Sequence, residues 1–326
     1  MKFGSRPSVA LATTGVLCVG LTACATGNAE SADSIPKRVE VIVPWAAGGG
    51  SDQATRQLLN LAEEPCETTF VVSNRTGAAG ATGHAAGADA EPDGTTLTDM
   101  TAEVMPLPYL GNSDVSYEDF TPIVRFASIS PAFAVPADSE FESMEDVADA
   151  LNAGESVRIG TTGPGGMWDV AAGGFEEAAG VKFTERVPYD GGASIVQALL
   201  GGHLEIANLA VAEVQPHVES GDLKVLAIAD DEPAAVMPEV PTLQDLGYDF
   251  STRTWFSFVG PAGLPEGQVD AFAACFQEAW ESDDYQAFLA NQGINPAFLG
   301  TEEFESFLSE EDAMIADLVP RIYGDQ

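Results

Sequence analysis

The chain has 326 residues, 45% of them hydrophobic, with 51 Asp and Glu against 13 Lys and Arg and a formal net charge of −38. That length allows two domains or one large one, and so acidic a balance excludes nucleic acid as a partner, because a phosphate backbone needs a basic footprint. Beyond residue 24 no apolar run approaches the roughly 20 residues that a membrane-spanning helix needs.

In chain order, Lys2 and Arg6 form a short basic region, Val9–Leu21 is an apolar stretch, and Leu21-Thr22-Ala23-Cys24 closes it. This looks like a lipobox, the site at which prokaryotic lipoproteins are cleaved and acylated, so residues 1–23 read as a lipoprotein signal peptide and Cys24 as the lipidation site. An ordinary cleaved signal with a chance cysteine is the alternative. Small polar residues then make 24–36 a flexible tether. Two further cysteines, Cys66 and Cys275, would face an oxidising exterior, where one disulfide or two buried thiols are the options. The acidic residues fall in scattered pairs such as Glu63-Glu64, Asp230-Asp231, Glu302-Glu303 and Glu310-Glu311 rather than at cation-loop spacing, which favours a halophilic, salt-adapted surface.

Val39–Val43 is a β-branched run suited to a buried strand, and Pro44 stops it. Trp45–Gly50 is too glycine-rich for regular structure, and a helix begins at Ser51 and Asp52, both good N-cap residues. Strand, glycine loop and helix start expose backbone N–H groups at the positive end of a helix dipole, which suits a carboxylate or phosphate. A tight connection without a ligand is the plainer reading. The P-loop and dinucleotide glycine patterns are both absent. Thr68–Val72 repeats the pattern as a strand. A second glycine loop over 73–83 leads to a short helix at 84–90, a turn at Pro92-Asp93-Gly94 and a strand at 95–98, the signature of an α/β layer.

Extended runs at 122–126 and 132–135 and a helix at 144–151 follow. The alternation resumes with strands at 157–160, 183–187, 205–209 and 224–229 and helices at 167–179, 193–200 and 211–220. A short helix at 243–247, a long extended run at 250–259 and helices at 266–281, 284–292 and 302–319 complete the chain. Two α/β modules joined by two extended crossings imply two lobes with a cleft and a hinge. The boundaries are 37–130 with 254–326 for lobe 1, and 131–253 for lobe 2.

Single residues admit two readings. Asp52 either caps the first helix or bonds ordered water or ligand, Trp45 is a stacking ring or core, and Met167 and Trp168 face the ligand or pack a helix start. Trp255 reads as hinge or lobe packing. His84, His203 and His217 lack the spacing and neighbours of a metal site, so neither metal nor cofactor is expected. An extracytoplasmic hydrolase would need a Gly-x-Ser-x-Gly elbow or a triad context, and neither is present.

From 39 to 318 the chain resembles the periplasmic solute receptors of tripartite tricarboxylate transporters, the Bug-type receptors. The segments that carry this are Ile-Val-Pro-Trp-Ala-Ala-Gly-Gly-Gly-Ser-Asp at 42–52, Val-Val-Ser-Asn-Arg-Thr-Gly-Ala-Ala-Gly at 71–80 and Pro-Asp-Gly-Thr-Thr-Leu at 92–97. Pro-Tyr-Asp-Gly-Gly at 188–192, Pro-Glu-Val-Pro-Thr-Leu at 238–243 and Phe-Val-Gly-Pro-Ala-Gly-Leu-Pro at 258–265 continue it. The resemblance implies an α/β, two-lobed type II periplasmic-binding-protein fold with two crossover strands and a central ligand cleft. It implies a receptor, not an enzyme, that binds a small organic carboxylate and delivers it to small and large membrane subunits. Such a receptor would be a monomer held by lipidated Cys24 at the outer face of the cytoplasmic membrane. A receptor or sensor subunit of a different uptake system is the alternative.

Carried onto this chain, the family's ligand loops place Trp45, Ala46, Ala47, Gly49, Ser51 and Asp52 in the first loop and Asn74, Ala79 and Gly80 in its neighbour. The opposing lobe supplies Thr161, Thr162 and Gly165, then Tyr189 and Gly192, and finally Asn208 at a strand end. Two departures bear on ligand charge: Asp190 stands where the family commonly has Lys, and Asp169 where it often has His. Trp168 adds a large ring beside them. Carboxylates at the mouth would disfavour a highly charged anion, although a salt-adapted rim explains them more simply.

Overall fold

The structure is a computed structural model that describes Met1, Gly4 and residues 34–189 and 191–324; the rest of the signal segment, Cys24 and Asp190 lie outside the described residues. The first lobe opens with β1 (Arg38–Val43), α1 (Gly50–Ala62), β2 (Thr69–Asn74), α2 (Ala81–Ala88), β3 (Thr96–Thr101), α3 (Pro106–Tyr109) and β4 (Phe120–Ile129). The chain then crosses to β5 (Pro131–Pro136), α4 (Met144–Asn152), β6 (Arg158–Thr161), α5 (Met167–Ala179), β7 (Glu185–Pro188), α6 (Gly192–Leu200), β8 (Ile206–Ala210), α7 (Val211–Glu219) and β9 (Leu223–Ile228). It returns through β10 (Thr254–Pro261), α8 (Glu266–Trp280), α9 (Asp283–Asn291), β11 (Asn295–Leu299) and α10 (Thr301–Tyr323).

Two mixed sheets result, in strand orders β11-β4-β10-β3-β1-β2 and β7-β6-β8-β5-β9. In the first, β1 pairs in parallel with β2 and β3, while β10 runs antiparallel between β3 and β4. The second repeats the plan, with β6 parallel to β7 and β8, and β5 antiparallel between β8 and β9. Each lobe is therefore a set of parallel strand–helix units joined by one antiparallel crossing strand, and the fold is two-lobed α/β.

The buried strands are apolar on both faces because helices cover both sides of each sheet. Val39, Val41, Ile42 and Val43 are fully buried in β1, and Ile206, Ala207 and Leu209 in β8. In such sheets the loops beyond the carboxyl ends of parallel strands form the ligand face. Here the loops after β1, β6 and β7 carry Gly48, Gly163, Gly165 and Gly191 at positive φ, a conformation that an L side chain would strain.

Three expectations need correction. Residues 243–247 form a turn rather than a helix: the Thr242 and Asp245 side chains cap its start, but Gly247 at positive φ closes it after one turn, with the Tyr248 N–H on the Leu243 carbonyl. β4 runs for ten residues, twice the expected length. β11 was not foreseen: Asn-Pro-Ala-Phe-Leu does not alternate, and Pro296 is tolerated because the strand lies at a sheet edge. Cys66 and Cys275 are joined by a disulfide, with Cα atoms 5.2 Å apart. Among the described residues no helix is long and apolar enough to cross a membrane.

Candidate functional site

The loop between β1 and α1 is fixed from behind. Gly49, in an extended conformation, is the N-cap of α1 and makes no side-chain cap, so Ser51 and Asp52 fall in the first turn instead of at the cap. Buried Asp52 accepts the Gly48 N–H at 2.8 Å, Arg56 Nε at 2.9 Å and Asn74 Nδ2 at 2.8 Å. Burial pushes its carboxyl up, but the bonds from Arg56, Gly48 and Asn74 outweigh this and hold it below the usual carboxylate range. Asn74 Nδ2 also donates to the Trp45 carbonyl at 2.9 Å, and Arg56 Nη2 to Asn74 Oδ1 at 2.9 Å. Asp52, Arg56 and Asn74 thus form a clamp that shapes the loop.

Trp45 is held by its indole nitrogen. Its Nε1 donates to Thr101 Oγ1 at 3.2 Å, and that hydroxyl donates onward to Glu103 Oε2 at 2.6 Å. The second glycine loop supports the ring, since a Cβ on Gly80 would meet it at 3.5 Å. Next to this, Ala78 and Ala79 both adopt positive φ, a costly conformation for alanine.

In the second lobe, the loop after β6 turns at Gly163 and Gly165 before α5 starts at Met167. Asp169 is fully engaged on its own lobe and by α10. It accepts Thr161 Oγ1 at 2.9 Å, Arg186 Nη1 at 3.1 Å and Tyr323 Oη at 2.6 Å. Burial beside this carboxylate pushes the Tyr323 phenol far up. Asn208 on β8 is wholly buried, and neither of its amide atoms has a partner among the described residues.

These loops enclose a cavity of about 580 Å³ between the lobes. Of the sequence-derived residues, Trp45, Ala46, Ala47, Gly49, Ser51, Thr162, Trp168 and Gly192 line it. Asp52, Asn74, Ala79, Gly80, Thr161, Gly165, Tyr189 and Asn208 are not among the residues that line it. Among the described lining residues there is no Lys, Arg or His. The wall is completed by apolar Ile129, Phe256 and Ile294 and by polar Gln53, Ser194, Thr254 and Gln292.

Among its described lining residues the cavity has two carboxylates, and Asp169 is not one of them. Glu103, just after β3, and Glu213, in the first turn of α7, both line it. Burial raises the Glu103 carboxyl, against bonds from Thr101, from its own amide and from the Met167 amide at the start of α5. Glu213 is raised by burial as well, with one opposing bond from the Ala210 N–H at 3.3 Å. Its carboxylate lies directly over Gly192, the first residue of α6, where a Cβ would come within 1.9 Å of Oε2. His84 is buried behind β3, accepts the Thr101 N–H at 3.2 Å, and is pushed down to about 4, so it is neutral and structural.

A family model described as the tripartite tricarboxylate transporter family receptor matches residues 54–322. A Cupriavidus necator protein named for its place in the gbd 5′ region is 29% identical over 318 residues, covering 94% of this chain and 93% of its own. A solved TctC solute-binding protein from Polaromonas is 29% identical with a TM-score of 0.75, covering 87% of this chain and 98% of its own. A Rhodopseudomonas palustris protein solved with bound malate shares the fold at 23% identity and a TM-score of 0.76, covering 87% of this chain and 100% of its own.

Proposed function

This chain belongs to the tripartite tricarboxylate transporter receptor family, and on that premise we propose that it closes its interlobe cavity on a small organic carboxylate and delivers it to the small and large membrane subunits of such a transporter. The family and the fold are those of extracytoplasmic solute receptors rather than enzymes. The observation that supports the ligand class is the position of the α1 start. It opens onto the cavity through Gly49, Gly50 and Ser51, and among the described lining residues there is no basic side chain to do the work instead. The first N–H groups of a helix have no intrahelical partner, so a carboxylate seated there is held by fixed dipoles.

Closure would bring the Thr162 and Trp168 wall onto the ligand, and the closed form is what a membrane partner would recognise. The malate held by the fold relative is consistent with this chemistry. Thermal unfolding at high salt with a panel of small organic acids tests the reading, because a ligand that binds only the folded state raises the melting temperature. A rise with at least one acid is expected; no rise with any of them rejects the carboxylate receptor.

Anchoring is the second part of the proposal. The Leu21-Thr22-Ala23-Cys24 tetrapeptide supports acylation of Cys24. Cys24→Ser is expected to release the protein from the membrane fraction, and a variant that stays membrane-bound rejects the anchor.

A further inference from the structure

Four helix starts border the cavity, those of α1, α5, α6 and α7; Glu213 already belongs to the first turn of α7, and the starts of α6 and α5 each have one of the protein's own carboxylates beside them. Glu213 lies over Gly192 at the start of α6. Glu103 takes the amide of Met167 at the start of α5. Both side chains come from elements other than the helix they cover, and both line the cavity. That leaves the α1 start as the place where an incoming anion meets unfilled N–H groups, because Asp52 points back to Gly48, Arg56 and Asn74 and not forward into the cavity.

A ligand with two carboxylates would have to put its second one beside Glu103 or Glu213, in a cavity whose described lining has no cation. At the reduced effective dielectric of such a site, like charges a few ångströms apart repel one another strongly. Salt relieves this little, since buried charges are poorly screened. A ligand with one carboxylate and one cation meets the opposite situation. Its anion has the α1 dipole, and its cation has buried Glu103 and half-buried Glu213, neither of which has a basic partner among the described residues. The remaining wall, with Trp45, Trp168, Phe256, Ile129 and Ile294, suits an apolar body between the two poles.

We infer that the cleft selects a small amino monocarboxylate, its carboxylate on the α1 start and its ammonium against Glu213 and Glu103. This rests on the carboxylate-receptor reading and narrows it to a zwitterion. The role assigned to Glu213 is specificity for the ligand's amino group. As a cap of α7 alone, Glu213 would not discriminate between an amino acid and its des-amino counterpart.

Titration calorimetry on the folded chain with matched probes separates the possibilities: L-phenylalanine against 3-phenylpropanoate, L-leucine against 4-methylpentanoate, and malate and adipate as dicarboxylates. The expected result is binding of at least one amino acid at least tenfold tighter than its des-amino partner and than either dicarboxylate, with the preference lost or reversed in Glu213→Gln. Equal or tighter binding of a des-amino acid or a dicarboxylate overturns the inference and leaves the carboxylate receptor standing. Silence with every probe overturns both. If Glu213→Gln does not fold, the wild-type ranking alone decides, and Glu103→Gln supplies the second variant.

Discussion

Asp99 is the residue whose environment most strongly contradicts its charge. It sits on β3 under α1, fully buried, with Oδ2 taking the Ser51 hydroxyl and the Thr55 hydroxyl at 3.1 Å, while Oδ1 has no partner among the described residues. Burial pushes its carboxyl up to about 7, the two hydroxyl bonds pull it down, and Glu103 and Asp52 add repulsion. The folded value lies above the unfolded 3.8, so the folded state holds the extra proton in between. The associated stability is complete below about pH 4 and is lost as the pH rises through about 7. Asp99→Asn keeps the shape and removes the titration. The variant is expected to show a flatter melting temperature between pH 4 and 8 and greater stability at pH 8, by up to about 4 kcal/mol at roughly 1.4 kcal/mol per pKa unit. A pH profile identical to wild type would assign the dependence to another group. At this scale the sequence was only partly legible. Trp45 and Ser51 could be placed on the cavity wall because they sit at a strand end and a helix start. Glu103 and Glu213 could not be separated from the other acidic residues of so acidic a chain. Glu213 alone left a trace, as an acidic residue three positions after a strand end, where it bonds back to the N-cap amide. Asp169 was misleading for the opposite reason, since its partners Arg186 and Tyr323 are distant in sequence.

α1 connects the fold to the site at the scale of elements. Its first turn opens on the cavity, and its far end is fixed by the disulfide from Cys66 to Cys275 on α8, across a sequence separation of 209. Closing a loop of that length restricts the unfolded chain most strongly. The double variant Cys66→Ser/Cys275→Ser is therefore expected to lose about 2–5 kcal/mol in urea unfolding. The bridge lies at the end of α1 remote from the cavity, so ligand affinity of the folded variant should be unchanged; a large loss of affinity would mean that it also sets the position of the α1 start. α6 offers the complementary test. In Gly192→Ala the new methyl would collide with the end of the Glu213 side chain, which can swing away, so stability should fall by only about 1 kcal/mol while ligand ranking changes. An unchanged ranking would detach Glu213 from recognition. The strand–helix units were legible because β-branched runs and glycine loops alternate with apolar helices. β11 was not, because an edge strand containing a proline depends on its tertiary partner β4, and neither was the 243–247 turn, which Gly247 at positive φ closes before a helix can extend.

For the whole molecule, the surplus of negative charge and the crossings between the lobes govern behaviour together. At the crossings, Ser130 between β4 and β5 donates to Asp230 Oδ2 at 2.7 Å and accepts from Asn295 Nδ2 at 2.8 Å, while Arg253 pairs with Asp230 at 2.9 Å. These bonds tie the outgoing and returning strands into one hinge. Around it the formal charge is −38, and most of the basic side chains, including Arg56, Arg158, Arg186 and Arg253, are already committed to ion pairs. Salt acts on this in two directions. It weakens exposed ion pairs, each worth about 0–1 kcal/mol, and it screens repulsion among the many carboxylates that have no partner. The Debye length falls from about 10 Å at 0.1 M to about 3 Å at 1 M, and because acidic residues outnumber basic ones so heavily, screened repulsion is the larger effect. The melting temperature is accordingly expected to rise steadily from 0.1 M to 1 M sodium chloride, roughly to the ionic strength at which neighbouring carboxylates no longer sense one another. Potassium chloride should act alike, since screening depends on ionic strength and not on the cation. A melting temperature that is flat or falls with salt would reject the salt-adapted surface, and a rise specific to one cation would point instead to a bound ion.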